Sequence, residues 1–251
     1  MMTIHRPHTL ILIPTYNNAG TVSDVVRRAL AQALPVLVVN DGSTDGTAGI
    51  LARMQQENGA LQVLTFPLNR GKGRALRAGL LAAREQGYAD VVTLDADGQH
   101  FPEDIPQLLS RAGAHRLVTG SRNLTADGMP RGNTFANRFS NFWFRVQTGR
   151  ALSDTQTGFR VYPVQELSGL RWMTSRYEGE LLLLVFAAWK GLDIVSVPVR
   201  VVYPEARVSH FRPYRDFLRI SVLNTCLCVL ALVYGYPRML VTALFHRRKA
   251  V

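Results

Sequence analysis

Cysteine is nearly absent: Cys226 and Cys228 are the only two in 251 residues. Two positions apart in an apolar run, they match neither a disulfide framework nor a zinc-ligand spacing, which fits a reducing cytosol. Lysine is as scarce. Lys72, Lys190 and Lys249 are the only three, so arginine supplies nearly all of the 29 basic residues, and its planar fork suits bidentate phosphate recognition. Acid is short as well, with 18 Asp and Glu, a net charge of +11 and a pI near 10.3. No helix-turn-helix, zinc-finger or RNP pattern accompanies that charge, so the expected partner is an anionic membrane surface and not nucleic acid. There is no Gly-x-Gly-x-x-Gly after the first apolar segment, and Gly71-Lys72-Gly73 lacks P-loop spacing, which argues against dinucleotide and P-loop chemistry. No signal peptide is expected either, because the apolar stretch from Leu10 to Ile13 is strand-length and stops at Pro14.

What is present is enough apolar residue, 47%, for one substantial core. Strands are expected at 9–14, 36–39, 61–65, 90–94, 117–119 and 194–202. Helices are expected at 21–32, 48–58, 134–148 and 178–190, with another opening at the 69–73 loop and one starting at Pro102. Short links between alternating strands and helices predict an α/β fold with a mostly parallel sheet and a ligand crevice at the strands' carboxyl ends. The stripe of Phe135, Phe139, Phe142, Trp143 and Val146 has helical spacing and reads as core.

Three loops fall at that crevice: 14–18, 40–46 and 95–99. Val91 to Asp104 reads VVTLDADGQHFPED, a buried strand delivering Asp95, Asp97 and Gln99 at its end. In extended backbone alternate side chains share a face, so two carboxylates and an amide oxygen would converge on one hard oxygen site suited to Mg²⁺ or Mn²⁺. A solvated Asp/Gly turn satisfies the same residues, and the short motif alone leaves both readings open. Lys72, near a helix N-terminus, is placed either to meet a phosphate or to lie in solvent.

From residue 200 onward eight Arg and one Lys face only Glu205 and Asp216. Residues 220–236 carry no charge, a run at the lower limit for crossing a bilayer, with Gly235-Tyr236-Pro237 expected to break the helix. Basic residues on both flanks favour an in-plane or re-entrant pair of helices turning near Pro237 over a single span.

Six ordered segments, IPTYNN at 13–18, VVNDGSTDGT at 38–47, NRGKGRALRAG at 69–79, VVTLDADGQHFPED at 91–104, GSR at 120–122 and DTQTGFR at 154–160, resemble the family 2 glycosyltransferases. The likeness is to their dolichyl- or polyprenyl-phosphate sugar synthase-like branch. The resemblance implies a GT-A type nucleotide-sugar-binding domain over residues 1–210, followed at 211–251 by helices for membrane association. It implies inverting transfer to a lipid-linked acceptor at the cytoplasmic face of the plasma membrane, with the protein peripheral or monotopic. Pro14, Tyr16 and Asp41 look like the nucleoside cradle of a UDP- or GDP-sugar; Asp95, Asp97 and Gln99 look like the metal and diphosphate ligands. Asn18 and Asn40 stand where many relatives carry Glu and Asp, which leaves the base open. A phosphate acceptor would be positioned by Arg122, Arg131 and Arg160, with His210 a further contact. A hydroxyl acceptor would need a base, with Asp154 first and Glu180 second. A sugar nucleotidyltransferase would want a Gly-rich, Arg-bearing loop after the first strand, which IPTYNN is not. Intact Asp95, Asp97 and Gln99 argue against a non-catalytic lipid-binding scaffold.

Overall fold

Leu10, Ile11, Leu12 and Ile13 have no exposed surface on either face of their strand, as expected of a central parallel strand covered by helices on both sides. The computed structural model describes residues 8–122, 131–167, 174–176, 178–202 and 213–241, with the backbone alone for 131–135 and 213–219. Seven strands form one sheet: β1 (Thr9–Thr15), β2 (Val36–Asn40), β3 (Leu61–Thr65), β4 (Asp90–Thr93), β5 (Arg116–Ser121), β6 (Arg160–Pro163) and β7 (Asp193–Pro198). Their order is β3-β2-β1-β4-β6-β5-β7. All neighbours run parallel except β6, which is antiparallel to β4 and β5.

The helices are α1 (Val22–Leu30), α2 (Thr47–Glu57), α3 (Lys72–Glu85), α4 (Ile105–Ser110), α5 (Arg131–Thr148), α6 (Glu178–Lys190) and α7 (Pro213–Leu230). Strand residues alternate between two helical layers. Leu10, Leu12, Leu37 and Val39 join Leu76 and Leu80 of α3 and Leu183 and Leu184 of α6. Ile11, Ile13, Val36 and Val38 join Val22, Val25, Val26 and Ala29 of α1 and Ile105 and Leu108 of α4.

Three features depart from the sequence reading. Nothing in the periodicity announces β6, four residues with Arg160 at one end and Pro163 at the other. It forms because Val161 lies opposite Val92 on one side and Val118 on the other, completing a wholly buried row. Second, the described part of the aromatic stripe of α5 is not fully core: Phe142 is 58% and Val146 39% exposed and Phe139 and Trp143 are half-buried, while Asn137, Ser140, Phe144 and Gln147 face inward. The inner face is polar because it holds the loop after residue 150, described below.

Third, the C-terminal helix does not break at Pro237. It continues to residue 241 through a π-helical turn, Ala231–Gly235. A proline lacks its N–H and presses on the carbonyl four residues earlier, here Val233, and the wider turn at that point accommodates both. The 22 residues Ile220–Val241 are long and apolar enough to cross a membrane by length and composition, but the helix is docked at its inner edge. Gln147 Nε2 donates to Asn224 Oδ1 at 2.9 Å, Leu227 and Ala231 enter the core, and Gly235 lies against Trp189, where a Cβ would come within 2.4 Å of the ring.

Candidate active site

The ends of β1 and β2 are laced into one rim. Asn17, in the left-handed region at φ 54°, donates its backbone N–H to Ser43 Oγ at 3.0 Å and accepts from the Thr44 N–H at 2.8 Å. The Asn18 N–H reaches Thr47 Oγ1 at 3.0 Å. Pro14 is buried beneath this rim and Tyr16 half-buried at its edge. Asp41 is only 2% exposed. Its carboxylate accepts the backbone N–H groups of Arg70 and Gly71, both at 2.7 Å, so it shapes the crevice from behind by fixing the loop that opens α3. Burial pushes its carboxyl up, against those two hydrogen bonds.

Across the crevice, β4 ends at Thr93 and the chain turns at 96–98, with Gly98 at φ 75°. Asp97 and Gln99 are therefore brought together by a turn and not by an extended strand. Asp97 accepts the Gln99 backbone N–H at 3.0 Å and its side-chain amide at 2.7 Å. Asp95 is seated on Gly158, where a Cβ would come within 2.8 Å of its Oδ2; only glycine leaves room for the carboxylate. Lys72 Nζ lies 2.7 Å from Asp95 Oδ1 and 3.0 Å from Oδ2, and 3.0 Å from Glu180 Oε2 at the start of α6. Burial alone would raise the Asp95 carboxyl, but the Lys72 ammonium, with His100 and Arg122 further off, holds it below the usual range. Burial would lower the Lys72 amine, and Asp95 and Glu180 together keep it firmly protonated.

Two carboxylates and one amide oxygen, all hard donors, suit Mg²⁺ or Mn²⁺ and leave coordination positions for phosphate oxygens. The donor set fits such an ion. Among the described residues no third His, Cys, Asp or Glu converges with them, so for such an ion an amide oxygen would have to complete the protein's share.

The third group lies at the end of β5. Asp154 has no exposed surface. Arg122 grips it in a fork, Nε to Oδ2 at 2.6 Å and Nη2 to Oδ1 at 3.0 Å. Asn137 of α5 donates at 2.6 Å, and the backbone N–H groups of Gln156 and Thr157 complete the set. Burial raises the Asp154 carboxyl, but Arg122 and these donors bring it below its ordinary value. Asp154, expected as the first choice of base for a hydroxyl acceptor, thus has both oxygens engaged by Arg122, and Oδ1 by three further donors.

Arg160, expected at the acceptor phosphate, is fully buried and donates to Thr155 O at 2.8 Å, Glu180 O at 2.9 Å and Tyr162 Oη at 3.0 Å, so it ties the 154–160 loop to α6. Arg131 opens α5 with its backbone alone described, and His210 lies outside the described residues.

Sequence reasoning missed Asn137, Asn141 and His100. Asn141 fixes the loop through Thr155 N–H at 3.0 Å and Ser153 O at 2.8 Å. Three asparagines spaced four apart along α5, at 133, 137 and 141, were the available signal. His100 packs its ring on Phe159 at 5.3 Å, its Nδ1 without a hydrogen-bond partner among the described residues. Burial lowers its pKa to about 4, so it is neutral at pH 7.

Residues 10–164 match the family described as Glycosyl transferase family 2. An undecaprenyl-phosphate mannosyltransferase of Micrococcus luteus is 33% identical over 78% of this chain and 84% of its own. A polyprenol monophosphomannose synthase of Mycolicibacterium smegmatis is 32% identical over 80% of each. Among solved structures, mannosyl-3-phosphoglycerate synthase from Rubrobacter xylanophilus superposes with a TM-score of 0.58 at 21% identity, over 94% of this chain and 74% of that one. A Pyrobaculum calidifontis mannosyltransferase in complex with GDP-Man and Mn²⁺ gives 0.54 at 16% identity, over 96% and 76%. Those two likenesses establish the α/β fold as GT-A. The strand-end carboxylates, the laced rim and the family match all concern the same segment of sequence, and the chain belongs to glycosyl transferase family 2 and is a glycosyltransferase.

Proposed function

We propose that the chain transfers a sugar, with inversion, from a nucleotide sugar to a polyprenyl phosphate at the cytoplasmic face of the membrane. The observation that carries this reading is the saturation of Asp154. A hydroxyl acceptor must lose a proton as it attacks, which requires a base within reach. Asp154 is buried and fully engaged, and Glu180, the next carboxylate, is paired with Lys72 and only 8% exposed. A phosphate oxygen is already anionic and needs positioning instead. Arg122 is fixed by Asp154 within electrostatic reach of Asp95, where an acceptor phosphate would face the donor. The polyprenyl- and undecaprenyl-phosphate relatives support the same acceptor class.

On the donor side, Pro14, Tyr16 and the loop held by Asp41 would frame the nucleoside, and Asp95, Asp97 and Gln99 would hold Mg²⁺ or Mn²⁺. When bound, that ion neutralises charge on the departing diphosphate. Residues 1–210 form the catalytic part in this reading, and 211–251 associate with the membrane peripherally or monotopically.

Purified enzyme given a panel of UDP- and GDP-sugars should transfer to a polyprenyl phosphate and not to the corresponding polyprenol, and EDTA should suppress the reaction. Comparable transfer to the free alcohol would overturn the phosphate reading, and full activity in EDTA would remove the metal from it.

A further inference from the structure

Lys72 holds Asp95 in a way that cannot continue unchanged once an ion binds there. Its ammonium spans both oxygens of Asp95, at 2.7 and 3.0 Å, and Asp95 is one of the three donors that a divalent ion would use. Asp95 has no room to retreat, because the backbone of Gly158 lies directly beneath it. An ion arriving at Asp95 therefore meets a fixed positive charge already on the same carboxylate. Like charges a few ångströms apart in a half-buried site repel strongly. Lys72 has a second resting place, Glu180 Oε2 at 3.0 Å, and as the first residue of α3 its head can swing without moving the helix.

We propose that Lys72 is an internal counter-ion that holds Asp95 in the donor-free enzyme and keeps the divalent site weak until a nucleoside diphosphate arrives. This rests on the donor site described above and adds an order of binding to it. The diphosphate supplies the negative charge that lets the ammonium and the divalent ion coexist, Lys72 turning from Asp95 toward a phosphate oxygen while Glu180 keeps its other side. Metal and nucleotide then bind with positive coupling, and by linkage each strengthens the other by the same factor. Without the lysine, the ion should bind readily to the empty site and the nucleotide should add little.

Mn²⁺ binding to the full-length protein, read from the loss of the free-ion EPR signal, tests this without turnover. Wild type should bind Mn²⁺ weakly alone and about tenfold or more tightly with UDP or GDP, each used as a separate probe. Lys72→Met should tighten Mn²⁺ alone by about tenfold and shrink the nucleotide's effect in proportion. Lys72→Arg, which keeps the charge, should preserve the wild-type pattern. Because Lys72→Met strands Glu180, the double variant Lys72→Met/Glu180→Gln serves if the single one melts early, and the same tightening is expected there. Unchanged or weaker Mn²⁺ binding in the folded lysine-free protein would overturn the proposal while leaving the donor site intact. Failure of wild type to bind Mn²⁺ with either nucleotide would instead remove the donor site, and this inference with it.

Discussion

A buried arginine and an exposed one look alike in a sequence, and the difference decides what Arg160 does. Its guanidinium is spent on Thr155 O, Glu180 O and Tyr162 Oη. Arg160→Lys keeps the charge but cannot reproduce that fork, and hydrogen bonds to charged groups contribute about 1.5–3 kcal/mol each. Thermal or urea unfolding should show a loss of at least about 2 kcal/mol, whereas the KM for lipid acceptor should move little. Arg122→Lys also loses a fork, the one to the buried Asp154, so stability should fall there too, but kcat/KM for the acceptor should fall with it, about ten- to a hundredfold. A stable Arg160→Lys protein with a ruined acceptor KM would return Arg160 to the phosphate. That Asp95, Asp97, Gln99, Lys72 and Arg122 would lie around one crevice was legible, because polar residues in the loops between strands and helices mark the sheet's carboxyl edge. The tasks of Asp154 and Arg160 were not, because they depend on which neighbours close over the 154–160 loop.

At the scale of elements, what the sequence hid was partnership across long separations. The parallel half, β1 to β4 with α1 to α3, follows from local apolar runs and was legible almost residue by residue. β6 was not, since a four-residue strand headed by arginine is stable only between β4 and β5. Hydrophobicity also misassigned α5, whose buried face carries Asn137, Ser140 and Gln147 and whose exposed face carries Phe142 and Val146. The C-terminal helix shows the same limit, because its inner edge is set by a glycine. Gly235→Ala would drive a Cβ to within 2.4–2.8 Å of three Trp189 ring atoms. Trp189 is itself held by Nε1–H donating to Gln147 O at 2.8 Å and cannot easily yield. Overpacking of this kind costs about 1–3 kcal/mol. Gly235→Ala should therefore lower the melting temperature and raise Trp fluorescence quenching by acrylamide; an unchanged melt would show that the helix is not seated on Trp189.

For the whole molecule, the proposed membrane association has to reconcile a net charge of +11 with the apolar helix Ile220–Val241. The helix presents Val222, Val229, Leu232, Val233, Leu240 and Val241 outward, all more than half exposed, and Phe142 of α5 is similarly exposed. α5 packs against the same helix, and Tyr236 Oη donates to Val146 O between them. The inner edge is polar at Asn224, 2% exposed. Crossing the bilayer would require the helix to leave Gln147 and Trp189 and carry Asn224 into hydrocarbon, a costly exchange. Lying in the interface immerses the outward face alone and leaves the docked edge intact. Basic residues near an anionic surface add about 1 kcal/mol each, so binding should be firm on vesicles rich in anionic lipid, weaker on neutral ones and reduced by high salt. Leu232→Asp with Val233→Asp should weaken vesicle binding at least tenfold, since each fully buried aliphatic side chain contributes about 1.5–3 kcal/mol. Its melting temperature in detergent should be unchanged. Nitroxide labels placed singly at 222, 229, 233 and 240, with Cys226 and Cys228 replaced by Ser, separate the two geometries by depth. An in-plane helix puts all four at one shallow depth, and a steady gradient from 222 to 240 would mean that the helix undocks and crosses.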